Sequence, residues 1–323
     1  MCTAITFHSK DHYFGRNLDL EYHYRETVTI TPRNYPFAFR NSTQLNSHYA
    51  FIGMAMVTGS YPLYYDATNE HGLSMAGLNF PGNAVYQTRS VNLDNVAPFE
   101  LIPWILCTCK NIPEAKKKLE RLNLWEQAFS ENLPLTPLHW IIADRQQALV
   151  LEPMAEGLRI YENPVGALTN NPPFPYHMNN LANYQHLTSK EPENSIASDV
   201  DLPSYSRGMG AFGLPGDLSS ASRFVRAVFT REHVLKKSNE AESVTQFFHI
   251  LGAVKQQEGC VEVGRGYEKT IYSSCCNTDK GIYYYKTYEN SRITGIDMHR
   301  EELDSCSVIT YPLITQQQIH MGN

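Results

Sequence analysis

The 323-residue sequence predicts an α+β fold in which strands and helices are segregated into layers. Strand patterns come first, helices follow, and strands return near the end of the chain, an order that fits layers better than repeated β–α–β units. Hydrophobic residues make up 42% and charged residues 19%, the balance of an ordinary globular protein. A chain of this length buries one large core or two smaller ones, which is compatible with packed layers.

The first predicted elements form a β-hairpin. Thr3–Phe7 and Tyr13–Gly15 alternate apolar and polar residues on either side of a polar turn at residues 9–11. Further strands are predicted at Thr27–Thr31, Ala50–Val57, Gly72–Gly77, His139–Ala143, Ala148–Glu152 and Leu158–Tyr161.

Helices are predicted between and after these strands, at Phe99–Lys110, Ile112–Leu122, Arg223–Val234 and about Ala241–Val254. Pro113 suits the first turn of the second helix, and Ser219-Ser220 supply natural N-caps for the third. The last strands are predicted at Thr270–Ser274, Gly281–Tyr288 and Arg292–Asp297. These late strands are needed to complete a sheet, which argues against a division of the chain in its middle.

A polar stretch at Thr188–Gly210, rich in Ser, Asn, Glu and Pro, interrupts this order. We interpret it as a long excursion within one domain, because strands follow it and no repeat or convincing linker is present. The sequence therefore predicts a single domain over residues 1–323.

Charge and hydropathy exclude several classes of partner. The formal net charge is −6, and the basic residues are scattered rather than gathered into a patch, so no nucleic-acid partner is expected. No segment reaches the roughly 18 apolar residues of a membrane span, and the first residues do not resemble a signal peptide. We expect a protein that acts in the cytoplasm, without a membrane partner.

The cysteines indicate a reducing compartment rather than a disulfide framework. They are odd in number and irregularly spaced, at positions 2, 107, 109, 260, 275, 276 and 306. Neither a CxxC pair nor an HExxH motif occurs, and the 12 histidines are dispersed. The sequence therefore predicts no metal and no cofactor.

Cys2 is the strongest candidate for chemistry. If Met1 is removed, one residue carries both a thiol nucleophile and a free α-amine. An α-amine has a reference pKa of about 7.7–8 and a thiol about 8.5, so the amine can take the thiol proton near neutral pH. The simpler alternative is an ordinary buried cysteine, and position alone does not decide between the two.

Arg16 and Asp19 follow the second strand of the predicted hairpin, which folds back beside the N-terminus. Arg16 would favour the thiolate of Cys2, and Asp19 could accept protons of the α-amine. Spacing alone favours the simpler interpretation, an exposed ion pair between positions i and i+3. The two residues become candidates only in combination with Cys2.

Several segments together resemble one known family. They are MCTAITF, YFGRNLDLEY, TPRNYPF, YDATNEHGLSMAGLNFPGNAVY, LHWIIAD, LEPMAEGLRIYENPVGALTNNP, GLPGDLSSASRFVRA and GIYYYKTYEN. In type and order they are similar to the choloylglycine hydrolases, a family of N-terminal nucleophile hydrolases that includes bile salt hydrolases and penicillin V acylases. The resemblance covers nearly the whole chain. It implies a four-layer αββα sandwich with two packed antiparallel sheets, and a homotetramer with a segment like Thr188–Gly210 in contact between subunits.

The resemblance also implies roles for particular residues. Cys2 matches the nucleophile, with its freed α-amine as the base, and Arg16 and Asp19 match the family's residues around that nucleophile. Arg223, in Ser222-Arg223-Phe224, matches the catalytic-site arginine.

Two asparagines are implied as oxyanion donors. Asn170, in Leu168-Thr169-Asn170-Asn171, matches the asparagine whose side chain serves the oxyanion, and its neighbour Asn171 does not. Asn79 falls where its main chain can supply a second donor. Related penicillin V acylases tend to carry Tyr at the position of Asn79 and bile salt hydrolases Asn, so Asn79 favours a bile salt substrate.

The sequence therefore predicts a choloylglycine hydrolase that cleaves glycine- or taurine-conjugated bile salts through an acyl-thioester. One alternative is the same mechanism on penicillin V or another N-acyl amide, such as an acyl-homoserine lactone. A second alternative is a binding or thiol redox protein without hydrolytic activity. Apolar and aromatic loop residues are candidates for the steroid-binding wall: Leu18, Tyr24, Phe129, Leu133 and Leu135. No residue for the anionic end of the substrate can be named.

Overall fold

The computed structural model describes all 323 residues and consists mainly of antiparallel strands with five α-helices. The strands are β1 Cys2–His8, β2 His12–Leu20, β3 Thr27–Thr31, β4 Phe51–Thr58, β5 Tyr61–Asn69, β6 Ser74–Asn79, β7 Asp94–Val96, β8 Leu122–Leu124, β9 Leu138–Ala143, β10 Ala148–Met154, β11 Gly157–Glu162, β12 Ala167–Leu168, β13 Glu262–Val263, β14 Gly266–Tyr267, β15 Lys269–Asn277, β16 Ile282–Thr287, β17 Thr294–Asp297 and β18 Ile309–Pro312. The helices are α1 Leu101–Leu106, α2 Ile112–Leu119, α3 Phe174–Leu181, α4 Ser220–His233 and α5 Glu240–Gly252.

Two large sheets organise these strands. The first sheet has six strands in the order β12-β1-β2-β15-β16-β17, and the second has eight in the order β11-β10-β9-β6-β5-β4-β3-β18. Every pairing inside both sheets is antiparallel. Strands from both ends of the chain complete each sheet, because β1 and β2 lie beside β12 and β15, and β3 lies beside β18.

The sheets pack face to face and helices cover their outer faces. A cluster of 38 buried residues includes side chains of both sheets and of α4 and α5. A second cluster of 26 residues joins α1 and α2 to the other face of the second sheet. Helix α4 contacts β1 and β12, and α5 contacts β2 and β15. The layers are therefore helix, sheet, sheet, helix, which confirms the predicted four-layer α+β sandwich.

The first two strands are buried on both faces because their sheet is covered on both sides. Only the last residues of β1 and β2 are partly exposed. The polar residues that alternate with the apolar ones in β2 therefore do not face water: Arg16, Asn17 and Asp19 are all inaccessible to solvent. Buried polar groups of this kind need partners, and their partners define the site described below.

The predicted hairpin is correct, although β2 continues to Leu20. The prediction missed β5, β18 and α3 and the short strands β7, β8, β12, β13 and β14, and it made α1 and α2 too long. Pro98 opens a short 3₁₀ turn before α1, and the chain then leaves the helix to reach Asn111, whose side chain caps α2 by accepting the Glu114 N–H.

Residues 188–208 contain no regular element, as expected from their polar composition. None of the helices is long and apolar enough to span a membrane.

His12 should make folding stability sensitive to acid. Its ring nitrogens lie 2.5 Å from the hydroxyl of Thr6 and 2.7 Å from that of Thr278. Burial, helped by the neighbouring His8, lowers the pKa of His12 from 6.5 to about 3. Below pH 6.5 the unfolded chain therefore binds a proton that the folded chain does not. This contribution to stability is complete above pH 6.5 and is lost as the pH falls toward 3.

We expect the free energy of unfolding of the wild type to fall by about 1.4 kcal/mol per pH unit more steeply than that of His12→Gln between about pH 6 and 4. Urea denaturation at several pH values measures both slopes. His320→Gln makes the same change at an exposed position and should keep the wild-type slope. Equal slopes for the wild type and His12→Gln would contradict the assignment.

Candidate active site

Cys2 is fixed inside a β-ladder rather than on a free terminus. It is the first residue of β1, pairs with Leu18 of β2, and is only 2% exposed. Met1 extends the ladder by one residue: its carbonyl accepts the Asp19 N–H at 3.0 Å, and its ammonium donates to the Asp19 carbonyl at 2.8 Å. The thiol is therefore held in one position, as a near-attack geometry requires.

Two carboxylates lie around the N-terminus. The Met1 ammonium is 2.5 Å from Glu268 Oε1, a side chain only 7% exposed. Asp19 Oδ1 accepts the hydroxyl of Thr270 at 2.6 Å, whereas Oδ2 has no hydrogen bond and lies 4.0 Å from Arg223 Nη1. Burial raises the pKa of both carboxylates. The nearby ammonium and the Arg223 guanidinium oppose that effect.

Arg16 and Cys2 share a face of the first sheet. Ala4 pairs with Arg16 and Cys2 with Leu18, so the Arg16 and Cys2 side chains are diagonal neighbours. Arg16 Nη1 donates to the carbonyls of Tyr65 at 3.1 Å and Gly77 at 2.5 Å. Pairing between β5 and β6 ends at Asp66–Ala76, so the guanidinium fills the gap where these strands separate.

The charge of Arg16 is stabilised by its surroundings. Burial alone would lower the pKa of Arg16, but the Cys2 thiol, Tyr272 and Asp66 raise it above its ordinary value. Arg16 Nη2 is buried without a hydrogen-bond partner. A permanent positive charge therefore lies beside Cys2.

Asp66 is a buried carboxylate near this arginine that sequence analysis missed, and its charge raises the pKa of Arg16. It lies on β5 and accepts hydrogen bonds across the sheet interface from Tyr272 at 2.6 Å, Tyr283 at 2.7 Å and Ser274 at 3.3 Å. The Ser274 hydroxyl also accepts the Arg16 N–H at 3.1 Å. Asp66 therefore joins the two sheets directly behind Arg16.

Asn170 and Arg223 lie against the backbone of Cys2. Asn170 Oδ1 accepts the Cys2 N–H at 2.7 Å and Arg223 Nη2 at 2.8 Å. Arg223 Nη1 donates to the Cys2 carbonyl at 2.5 Å and to the Thr3 hydroxyl at 2.7 Å. The Ser220 hydroxyl, in the first turn of α4, accepts the Asn170 N–H at 2.8 Å. The start of α4 therefore holds Asn170, while Ser219 is the N-cap.

Asn79 presents its main chain at the same place. Asn170 Nδ2 donates one hydrogen to the Asn79 carbonyl at 2.7 Å, which leaves its second hydrogen free for another acceptor. The Phe80 N–H donates to the carbonyl of Pro137, the residue just before the neighbouring strand β9. Because antiparallel strands alternate their hydrogen-bonding edges, the Asn79 N–H faces the opposite edge, where β5 has separated from β6.

A largely apolar cavity of about 510 Å³ opens beside Cys2. Cys2, Arg16 and Asn79 line it, and so do all five residues predicted for the steroid wall, Leu18, Tyr24, Phe129, Leu133 and Leu135. Asp19, Asn170 and Arg223 do not line the cavity but lie behind Cys2 and beside its main chain. The structure thus brings all six predicted catalytic residues to one place, in two groups.

Sequence reasoning did not identify Tyr65, Gly77, Glu268 or Ser220, which hold the predicted residues in place. Two of these contribute only a main-chain carbonyl, which leaves no signal in residue type. Ser220 had a visible signal, since it was one of two adjacent candidates for a helix cap. No group of three or more His, Cys, Asp or Glu side chains is placed to hold a metal ion.

The arrangement is that of a cysteine hydrolase whose nucleophile lies at the N-terminus. It combines a buried thiol beside a guanidinium, amide donors next to that thiol and an adjoining apolar cavity. A sequence model of the linear amide C–N hydrolases, choloylglycine hydrolase family, matches residues 2–311. The chain therefore belongs to the choloylglycine hydrolase family, as the sequence resemblance predicted.

Individual relatives agree with this assignment. The bile salt hydrolase/transferase of Lactiplantibacillus plantarum is 55% identical over 324 residues, covering all of both chains. That of Clostridium perfringens is 37% identical over 96% of each chain. A crystal structure of a variant of the Clostridium perfringens conjugated bile acid hydrolase matches with a TM-score of 0.92 and 36% identity over both full chains.

A penicillin V acylase from Agrobacterium tumefaciens is a more distant structural relative. Its TM-score is 0.76, with 18% identity over 96% of this chain and 90% of the acylase. At that identity the likeness demonstrates a shared fold and nothing more.

Proposed function

We propose that this protein hydrolyses the amide bond of glycine- or taurine-conjugated bile salts, with Cys2 as the nucleophile. One observation carries the proposal: the Cys2 thiol lies on the wall of an apolar cavity of about 510 Å³, beside the Arg16 guanidinium. A cavity of this size and polarity suits a large hydrophobic acyl group. The relatives named as bile salt hydrolases supply the chemical identity of that group.

The proposed reaction requires that Met1 be removed. While Met1 is present, the Cys2 nitrogen is a peptide N–H that donates to Asn170 Oδ1. Once freed, the Cys2 α-amine becomes a base within reach of its own thiol. It takes the thiol proton, the thiolate attacks the substrate carbonyl, and a tetrahedral oxyanion forms. Arg16 stabilises the thiolate before the attack.

The second hydrogen of Asn170 Nδ2 and the main-chain N–H of Asn79 would donate to that oxyanion. Donors fixed before the reaction are effective because they need no reorganisation as the charge develops. The ammonium of Cys2 then protonates the departing nitrogen, the C–N bond breaks, and glycine or taurine leaves. An acyl-thioester on Cys2 remains.

Water completes the proposed reaction. The α-amine takes a proton from a water molecule, the hydroxide attacks the thioester, and the same two donors receive the second oxyanion. Collapse of this intermediate releases the bile acid and restores the thiol. Asp19 and Arg223 act behind the nucleophile in this scheme, Asp19 near the α-amine and Arg223 on the Cys2 carbonyl and on Asn170.

The cavity wall offers apolar contacts for the steroid end of the substrate but few charged contacts for its anionic end. Leu18, Leu133 and Leu135 present apolar surface to the steroid, whereas Arg16 is the only lysine or arginine on the wall. One nitrogen of Arg16 already donates to two carbonyls. No second cationic side chain lines the cavity to meet the carboxylate of glycine or the sulfonate of taurine.

We also propose, as part of this function, that the whole chain acts as one catalytic domain in the cytoplasm and assembles into a homotetramer. The seven cysteines are all unpaired, as is usual in a reducing compartment. The excursion at 188–210 exposes apolar side chains that a subunit contact would cover: Ile196, Val200, Leu202 and Tyr205.

The substrate class is tested by kcat/KM for glycocholate, taurocholate and penicillin V on one freshly reduced preparation. We expect the bile salts to be preferred by roughly a hundredfold, about 2.7 kcal/mol of differential transition-state binding. End-group analysis of the same preparation should find Cys2 first, and light scattering should give four times the chain mass of 36.8 kDa. A preference for penicillin V would overturn the substrate assignment, and retained Met1 in an active preparation would overturn the mechanism.

A further inference from the structure

A fully buried pair of side chains lies behind the two proposed oxyanion donors. His139 on β9 and Glu152 on β10 are cross-strand neighbours, both inaccessible to solvent. His139 Nδ1 is 3.2 Å from Glu152 Oε1, and His139 Nε2 donates to the Thr169 carbonyl at 2.8 Å. Both ring nitrogens thus face an acceptor, and one of these acceptors belongs to the residue before Asn170.

The pair holds both ends of the segment that contains Asn170. His139 binds the Thr169 carbonyl at one end. Glu152 Oε1 accepts the Phe174 N–H at 2.9 Å at the other end, where α3 begins. A negative carboxylate is favourable at a helix N-terminus. The six residues 169–174, with Asn170 near their start, are therefore held against the second sheet by these two side chains.

His139 also contacts Phe80, the residue that directly follows Asn79. The rings of His139 and Phe80 are stacked, with centroids 4.3 Å apart and planes inclined by 6°. Phe80 directly follows Asn79, whose carbonyl accepts the Asn170 side chain. One imidazole thus touches both chain segments that present amide donors to the nucleophile.

A buried polar pair is an unfavourable way to fill a core, because its members lose their hydration and must find hydrogen-bond partners inside the protein. Here the pair also leaves Glu152 Oε2 without a hydrogen-bond partner. An apolar pair of similar size would pack without that cost, but it could not bind a carbonyl at one end of the segment and an N–H at the other.

We propose that His139 and Glu152 form a positioning pair that sets the geometry of the oxyanion donors, an inference that rests on the proposed function. Neither side chain lines the cavity or touches Cys2. They act through Asn170 and Asn79. Their loss should therefore weaken transition-state stabilisation while leaving the thiol and the substrate-binding wall unchanged.

A double-mutant cycle between His139→Phe and Asn170→Ala tests this inference. Phe preserves a ring for stacking on Phe80 but removes the hydrogen bond to Thr169. We expect His139→Phe alone to lower kcat for glycocholate by about ten- to a hundredfold, with KM changed less than about threefold. In the Asn170→Ala background the same substitution should lower kcat by less than about threefold, because the donor it positions is already absent.

Alkylation of Cys2 by iodoacetamide separates positioning from general disruption. This displacement forms no tetrahedral oxyanion, so its rate should stay within about twofold of wild type in His139→Phe. Glu152→Gln retains an acceptor for the Phe174 N–H and should keep kcat within about threefold. If His139→Phe does not fold, Glu152→Ala replaces it in the double-mutant cycle, and Glu152→Gln serves as the conservative control. His48→Phe, which removes another buried histidine bonded to two carbonyls, is the matched control and should retain activity.

Two outcomes would overturn the inference: independent effects of the two substitutions on kcat, or a parallel loss of alkylation and turnover. Wild-type turnover of glycocholate in the same assay is a separate check on the proposed function. A wild type without turnover would refute that function, whereas an active wild type with independent mutational effects would refute only the positioning pair.

Discussion

Replacing Cys2 by serine is expected to lower kcat for glycocholate by more than about a thousandfold. Serine is small enough for Met1 to be removed, so the α-amine is still freed and only the nucleophile changes. A hydroxyl loses its proton far less readily than a thiol, so in a site arranged around a thiolate the α-amine generates far less of the reactive anion from serine. The Arg16 guanidinium stabilises a thiolate but cannot create an alkoxide at neutral pH.

Steady-state turnover under reducing conditions measures this effect, and thermal unfolding confirms that the variant is folded. Cys260→Ser makes the same chemical change at an exposed cysteine and should behave as the wild type. Retention of a tenth or more of the activity in Cys2→Ser would contradict the requirement for a thiolate at this position. A comparable loss in Cys260→Ser would point to a general requirement for thiols.

Replacing Asn170 by alanine is expected to lower kcat by roughly two to three orders of magnitude, the usual cost of removing one oxyanion donor. The substitution removes the Nδ2 donor and also the oxygen that accepts hydrogen bonds from the Cys2 N–H and Arg223. KM should change much less, because Asn170 does not line the apolar cavity. Separate values of kcat and KM for glycocholate measure the two effects.

Asn171 provides the matched control. It has the same side chain one residue further along, but its amide donates to the Pro81 carbonyl at 2.7 Å and it has no contact with Cys2. Asn171→Ala should therefore keep kcat within a few fold of wild type. If Asn170→Ala were fully active, or if the two variants were equally impaired, the side chain of Asn170 would have no special place in the mechanism.

Local patterns in the sequence predicted those parts of the fold that depend on local contacts. The first hairpin places Cys2 opposite Leu18 and near Arg16 through a turn of three residues, and alternation alone predicted it. The sequence analysis predicts no strand at β5, whose beginning contains Pro62, a residue that cannot donate a hydrogen bond to a ladder. The two-residue strand β12, which leads to Asn170, is too short to produce any periodic pattern.

The contacts that complete the site join residues far apart in sequence. Arg16 binds Gly77, Asp19 binds Thr270, and the N-terminal ammonium pairs with Glu268. No local pattern encodes such pairings, since they depend on how the two sheets pack. The N-terminal pattern suggested Cys2, Arg16 and Asp19, and the family resemblance added Asn79, Asn170 and Arg223. Neither could show which of the six line the cavity and which lie behind Cys2.

The parts of the site differ in where they lie on the fold. Cys2, Arg16 and Asn79 belong to strands of the two packed sheets. Much of the cavity wall, by contrast, comes from connecting segments. These are residues 127–136 between β8 and β9, and Tyr22 and Tyr24 between β2 and β3. Connecting segments accept substitution and changes in length far more readily than core strands. A descendant of this protein could therefore exchange one acyl preference for another through changes in its loops, while the residues that cleave the amide bond stay unchanged on the strands.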